Sequence, residues 1–468
     1  MAFNSTVFLF IFLPLLLLVV FPLPRQIQNV VLLVASVFFY VWGAGWQVVW
    51  IGFVAVASYA GALALNRTRL TSSRVFFASL LAIALSPLLL LKYLPPLTEL
   101  GLGPNVLTFV LPLGISFFTF HAVSYLIDVK RGSIVAETRA HDYFLYLFYF
   151  PHQIAGPIVR YSEIVDDIKH RPRPEASGVV VGLSRFGWGL AKKALVADPA
   201  GTLATAMWES TANGWPLSTA GAWLAAFAFA VQIYFDFSAY TDMAIGLARV
   251  FGFHFPENFA APYSSVSATE FWRRWHMTLS RWFRDYVYIP LGGSRHGIPR
   301  EYVALLITFA LTSLWHGATL PFLLWGGLWS TALIIERVTG LNKSTSWTLI
   351  RRIGMAVFIV ASWVPFRAPS LHDTWNVWRA MFSAQGLSVS PEVLLLVTPT
   401  ALLSLTLGLL YFIRPRRWRA RFFDIVTGVN DGIPRHIWRV GAIGIASAAI
   451  GIAVTFITTS SPFIYFQF

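Results

Sequence analysis

From residue 7 to residue 23 the chain carries no charged side chain, and the same holds for 28–43 and 46–65. About twenty apolar residues wound as a helix cross the roughly 30 Å hydrocarbon layer of a bilayer, so runs of this kind read as membrane helices. Further apolar runs lie at 75–93, 106–127, 141–159, 178–197, 217–237, 302–316, 320–338, 352–366, 393–413 and 438–457. Several are short, or are interrupted by Gly and Pro, as in segments that re-enter the membrane without crossing it. The expected fold class is an all-α polytopic integral membrane protein with about 11 to 13 transmembrane or re-entrant helices. Charged residues make up only 12% of the chain, against roughly 25% in soluble domains. No internal repeat or soluble linker divides the sequence, so residues 1–468 read as one membrane domain, with core motifs at 106–340 and C-terminal spans at 352–366, 393–413 and 438–457.

Charge placement gives the sidedness. No basic residue precedes the first apolar run and Arg25 follows it, the reverse of a cleaved secretory signal, so the segment reads as a retained span with its N-terminus outside. The net charge of +14 is explained by cytoplasmic loops rich in Lys and Arg. Arg67, Arg69 and Arg74 form one such loop, Lys130, Arg131 and Arg139 another, and Arg414, Arg416, Arg417, Arg419 and Arg421 the strongest. The loop 160–177 balances Arg160, Lys169, Arg171 and Arg173 with four acids and assigns no side. With 19 Trp, the ordinary expectation for an aromatic is an interfacial anchor or lipid-facing filler. The absence of cysteine excludes disulfides, thiolate metal sites and an acyl-cysteine intermediate. HExxH, a P-loop and GxSxG are all missing, so no metal, nucleotide cradle or serine elbow is expected, and no nucleic-acid motif occurs.

One polar stretch stands out from this background. FWRRWHMTLSRWFRDYVYIPLGGSR begins at Phe271. On a helical wheel Trp272, Trp275, His276, Leu279, Trp282, Phe283 and Tyr286 share a face, and Arg273, Arg274, Arg281, Arg284 and Asp285 share the opposite one. The spacing predicts one amphipathic helix with a histidine inside its aromatic stripe. After a Pro-Leu-Gly-Gly turn, the apolar segment 302–315 delivers Trp315, His316 and Gly317 at its far end. An ionisable side chain carried so deep is a functional candidate, since its burial costs free energy unless it is paired or hydrated.

The other histidines have plainer readings. His170, His296, His372 and His436 lie in charged or loop contexts, His254 in a Gly-Phe turn, and His141 at the start of a span. His121 and His152 sit among apolar residues and read as hydrogen-bonded structural histidines. Asp236 and Asp242, in YFDFSAYTDM, end an apolar run; Asp236 shares a face with Tyr240, and Ser238 with Asp242. A buried acid there needs a partner such as Arg273, Arg274 or a histidine, and an ion pair between elements competes with a direct catalytic role. In FPHQIAGPIVR, Pro151, Gly156 and Pro157 break the helix, as in a cavity wall or a simple kink.

Taken together, FWRRWHMTLSRWFRDYVYIPLGG followed by LWHG, with LPLGISFFTFHAVSYLIDVKRG, FPHQIAGPIVR and YFDFSAYTDMAIGL, resembles the membrane-bound O-acyltransferase (MBOAT) family, specifically its alginate O-acetylase branch. The likeness covers most of residues 1–340. It implies a ring of helices around a thin central catalytic region in the bacterial inner membrane. It makes His316 the catalytic base and gives His276 a role in binding or orienting donor or acceptor. Asp236, Tyr240, Asp242, Trp272, Arg273, Arg274, Trp275, Arg281 and Trp315 would support the site or bind substrate. The implied reaction takes acetyl from a cytoplasmic donor, acetyl-CoA, toward a secreted polysaccharide such as alginate or cellulose. The implied partners are periplasmic acetyltransferase or esterase-like proteins and a polysaccharide synthase complex, with membrane lipids around. Histidine suits the chemistry, because an alcohol attacks a thioester only once its proton has a place to go. The competing readings are D-alanyl transfer to teichoic acid within the same family, and a non-catalytic transporter or scaffold; polar residues clustered at 236–316 and the lack of a repeat argue against a transporter.

Overall fold

Long apolar runs leave backbone groups no partner but one another, and the chain resolves this with helices. The computed structural model describes residues 1–67, 73–99, 111–170, 175–212, 218–295, 297–341, 346–383, 386, 391–413, 437–457 and 463, and no β-strand occurs among them. In chain order the α-helices are α1 (Leu13–Val20), α2 (Arg25–Ala44), α3 (Val48–Arg67), α4 (Arg74–Glu99), α5 (Ile115–Arg131), α6 (Ala140–Phe148), α7 (Tyr161–His170), α8 (Ala176–Lys192), α9 (Asp198–Ala212) and α10 (Thr219–Val250). There follow α11 (Ala268–Trp272), α12 (Met277–Phe283), α13 (Ile298–His316), α14 (Leu320–Thr339), α15 (Thr348–Arg367), α16 (Leu371–Phe382), α17 (Pro391–Leu396), α18 (Pro399–Ile413) and α19 (Ile437–Ile457). Five stretches among the described residues are long and apolar enough to cross a membrane: Arg25–Asn66, Arg74–Tyr93, Thr219–Val250, Thr348–Arg367 and Ile437–Thr455. The protein is therefore an all-α polytopic membrane protein. Arg69, His296, His436 and the arginines of 414–421 lie outside the described residues.

Two of the apolar runs are not single helices. The run 141–159 is helical only to Phe148; a 3-10 turn, Phe150–His152, and non-helical backbone follow. Pro151 and Pro157 have no N–H to continue the ladder, and Gly156 takes a φ of +104° open to few other residues. The freed backbone is nonetheless buried, and neighbours satisfy it: the Ser36 hydroxyl accepts from Phe150 N–H at 3.1 Å. The run 393–413 divides into α17 and α18, with Pro399 opening the second.

The chain groups into two compact units, Met1–Leu183 with Met243–Pro256, and Ser184–Asp242 with Glu257–Phe468. In the first, Phe3, Phe8, Phe12, Phe39 and Phe150 form a buried ring cluster. Buried polar groups lie beside it. Tyr143 and Ser58 share a hydroxyl–hydroxyl bond of 2.6 Å. The Glu137 carboxylate takes the Tyr161 hydroxyl at 2.6 Å, the Lys169 ammonium at 2.6 Å and the Arg139 N–H at 2.9 Å. Burial pushes this carboxyl upward, but those hydrogen bonds and the Lys169 charge outweigh it and hold it below its ordinary value. His121 and His152, read as structural from sequence, lie with ring centroids 4.7 Å apart, and His152 Nε2 donates to the Tyr146 carbonyl at 2.8 Å. His254 pairs with Asp167 at 3.1 Å.

The second unit holds the candidate site. Here α13 and α14 form a hairpin closed by Gly326, where a Cβ would collide with the Ser313 hydroxyl and stand 2.8 Å from the Phe309 carbonyl. Aromatic residues fill its interior. Tyr263, Trp275, Phe271 and Trp329 stack within 18° of parallel, at successive centroid distances of 6.0, 5.6 and 4.4 Å. Trp325, Trp329 and Trp363 are fully buried, so these tryptophans are core and not interfacial anchors, unlike the exposed Trp42, Trp46, Trp347 and Trp375.

Candidate active site

The amphipathic helix expected over 271–286 is broken in the middle. The chain leaves α11 at Trp272, passes through His276 in the left-handed region (φ 42°, ψ 55°), and restarts as α12 before a π-turn at Arg284–Tyr288. Wheel geometry misses this because the competing hydrogen bonds come from elsewhere in the chain. Ala260 N–H donates to the Arg274 carbonyl, and Met277 N–H to the Asn258 carbonyl, both at 2.9 Å. The segment 258–260 thus supplies the partners that a continuous helix would have used. The cost of the left-handed residue, of order 1 kcal/mol or more, is offset by these bonds and by those of the Asn258 side chain.

Asn258 is fully buried. Its Oδ1 accepts from Thr278 N–H at 3.2 Å and from the Thr278 hydroxyl at 2.9 Å, and lies 3.1 Å from His276 Nδ1. The His276 ring meets the edge of Phe237 at 4.6 Å and contacts Trp315 at 6.2 Å. The second histidine, His316, is the last residue of α13. Its imidazole is boxed by Trp315 at 4.5 Å, Phe366 at 4.8 Å, Trp325 at 5.4 Å and Phe322 at 6.0 Å. Trp315 therefore touches both histidines, and the fold assembles the two imidazoles around one indole. Gly317 has a different part from the one its size suggests: the space its missing side chain leaves is filled by the Phe322 ring, 2.6 Å from where a Cβ would stand.

Beside the broken helix opens a cavity of about 500 Å³. Arg273, Arg281, Arg284 and Arg337 give its wall a positive character, and Trp272, Leu305 and Phe309 an apolar floor. Arg337 also pairs with Glu301 and receives support from Tyr288, whose hydroxyl donates to Glu301 at 3.1 Å. Of the arginines expected on one helical face, Arg274 turns elsewhere and pairs with Glu270. Trp272 lines the cavity, whereas Trp275 belongs to the aromatic stack. Neither His276 nor His316 is among the lining residues, although Met277 follows the first directly; an arginine-lined pocket of this kind can hold an anionic, phosphate-bearing molecule.

The acids have other partners than those expected. Asp236 meets Lys193 at 2.6 Å, and Lys193 also reaches Asp198 at 2.7 Å. Asp242 takes Arg185 at 2.8 Å and Lys192 at 2.6 Å, with Arg185 extending to Glu257 at 2.6 Å. Neither Arg273, Arg274 nor a histidine forms these pairs. Tyr240 packs on Phe463. Lys192 and Lys193 lie within the apolar run 178–197, and nothing in their spacing marks them as the partners of these acids. Asn258 gives no periodic signal at all, and Arg337 looks like an ordinary cation at a helix end.

A membrane helix bundle with this constellation has counterparts among known proteins. The sequence model of MBOAT, the membrane-bound O-acyltransferase family, matches residues 135–371, a range that holds both histidines and every residue lining the cavity. The chain is 35% identical, over the whole of both chains, to the probable alginate O-acetylase AlgI of Azotobacter vinelandii. It is 40% identical to the probable alginate O-acetylase AlgI of Pseudomonas aeruginosa, with 82% of this chain and 75% of that protein covered. A peptidoglycan O-acetyltransferase of Helicobacter pylori is 32% identical, covering 83% of this chain and 81% of its own. The protein is thus a multi-pass membrane enzyme of acyl transfer. It belongs to the membrane-bound O-acyltransferase family.

Proposed function

We propose that the protein moves acetyl from acetyl-CoA, on the cytoplasmic side of the bacterial inner membrane, toward a hydroxyl of a secreted polysaccharide, with His316 as general base. The observation that carries this reading is the placement of His316: an imidazole at a helix end, walled by four aromatic rings and sharing Trp315 with a second imidazole. Relatives named for O-acetylation of alginate and of peptidoglycan support acetyl as the group moved and a polysaccharide as its destination. Periplasmic acetyltransferase or esterase-like proteins and a polymer synthase complex would complete delivery.

In the proposed reaction, the His316 imidazole takes the acceptor hydroxyl proton as its oxygen attacks the acetyl carbonyl carbon. The carbon–sulfur bond then breaks, and the protonated imidazole returns the proton to the leaving thiolate, so charge and protons balance. The cavity arginines, Arg273, Arg281, Arg284 and Arg337, would hold the donor's phosphates while Trp272 covers its apolar arm. Catalysis by a positioned base contributes about two to four orders of magnitude in rate. His316→Gln keeps the size of the side chain and some of its hydrogen bonding but cannot take the proton. Ester-linked acetate on the polymer should fall below detection while membrane levels of the protein stay normal. Near-normal acetate in His316→Gln would end the base assignment.

A further inference from the structure

The atoms around His276 settle which of its nitrogens bears the hydrogen. A backbone N–H can only donate, so the Asn258 side-chain atom that meets Thr278 N–H at 3.2 Å is the carbonyl oxygen and not the amide nitrogen. The Thr278 hydroxyl, 2.9 Å away, converges on the same oxygen. His276 Nδ1 lies 3.1 Å from an atom that can only accept, and it must therefore donate. A neutral imidazole has one hydrogen, so a hydrogen on Nδ1 leaves the lone pair on Nε2. The same asparagine fixes the ring's direction, because its own carbonyl holds Met277 N–H and so pins the left-handed turn at His276. Asn258 has no solvent to exchange these bonds with, being fully buried.

We propose that Asn258 is a positioning residue for acyl transfer: it locks His276 as the Nδ1–H tautomer and turns Nε2, a proton acceptor, toward the Trp315 side shared with His316. In this role His276 Nε2 accepts a hydrogen bond from a neighbouring hydroxyl of the polysaccharide acceptor and so orients the sugar, while His316 takes the single proton of the reacting hydroxyl. The inference rests on the reading that both histidines serve the reaction. It assigns a direction to the second one, which the order of residues in the chain cannot give. Thr278 is part of the same device, since its two donors keep the carboxamide from flipping.

The test uses the full-length protein in lipid, with histidine labelled by ¹⁵N. Resonances absent from His276→Gln identify His276, and they should show a protonated Nδ1 and an unprotonated Nε2. In Asn258→Ala the two tautomers should mix and kcat should fall roughly tenfold or more, as expected for a positioned group set loose, with donor KM unchanged. Asn258→Asp, which keeps an acceptor oxygen in place, should preserve the tautomer and recover more activity than Asn258→Ala. In a His276→Gln background Asn258→Ala should cost nothing further, because the two residues act as one unit. A protonated Nε2 in the native protein overturns the proposal even if His276→Gln is inactive. So does a further loss from Asn258→Ala in the His276→Gln background, which marks Asn258 as merely structural. Full activity in His276→Gln instead defeats the underlying reading of the site, whatever the tautomer proves to be.

Discussion

The buried carboxylate of Glu137 meets three donors, and it shows how such an arrangement becomes a stability term. Its carboxylate accepts from Tyr161, Lys169 and the Arg139 N–H, which together hold it ionised below its ordinary range. A carboxyl depressed on folding stabilises the native state above its unfolded pKa of about 4.3, and that contribution disappears as the pH falls through the folded value. Glu137→Gln should therefore lower stability by roughly 2 kcal/mol at pH 7, the worth of hydrogen bonds to a charged group. The gap between variant and native protein should close below about pH 4. Thermal unfolding of the detergent-solubilised pair at neutral and acid pH reads this directly. An equal gap at both pH values would assign the loss to shape instead of charge. The residue scale also explains which candidate residues are visible in a sequence: His316 announces itself by lying at the end of an apolar run, but Asn258 does not, because an asparagine in a loop is ordinary.

Between elements, close approach decides more than helical propensity. Gly326 sits inside α14, where alanine would favour the helix by about 1 kcal/mol. A Cβ there, however, overlaps the Ser313 hydroxyl and crowds the Phe309 carbonyl on α13, and overpacking costs about 1–3 kcal/mol. The second effect wins. Gly326→Ala should lower the unfolding temperature and also reduce transfer, since α13 carries His316 at its end. An unchanged or raised unfolding temperature would show that the hairpin relaxes. The broken stretch 271–286 teaches the same lesson from the other side: its aromatic face predicts one helix, and backbone partners from 258–260 split it at His276.

At the scale of the whole molecule, the net charge of +14 is an instruction about orientation in the membrane. The arginines at 414–421 form the densest basic cluster, and they should face the cytoplasm. With no cysteine in the chain, a single one placed at position 417 reports its side without background. It should react with an impermeant thiol reagent only after the cells are permeabilised, while a cysteine at position 100 should react in intact cells. Reaction at 417 in intact cells would invert the topology, and with it the side proposed for donor entry.

Class and helical character follow from the amino-acid order alone, because apolar runs without charges have one way to satisfy their backbone in lipid, and LWHG at the end of such a run marks His316 as a candidate. Even the breaks at Pro151, Gly156 and Pro157 are local, set by missing N–H groups and a positive φ. Partner choice is of another kind. The ion pairs that sequence weighed for Asp236 and Asp242 are made, but by Lys193, Lys192 and Arg185, some 43 to 57 residues away in the chain. The burial of Trp325, Trp329 and Trp363 and the turn at His276 likewise depend on residues distant in sequence. Periodicity records which face of an element is apolar; only the tertiary structure decides what that face meets, and so which nitrogen, cation or ring stands beside the reacting groups.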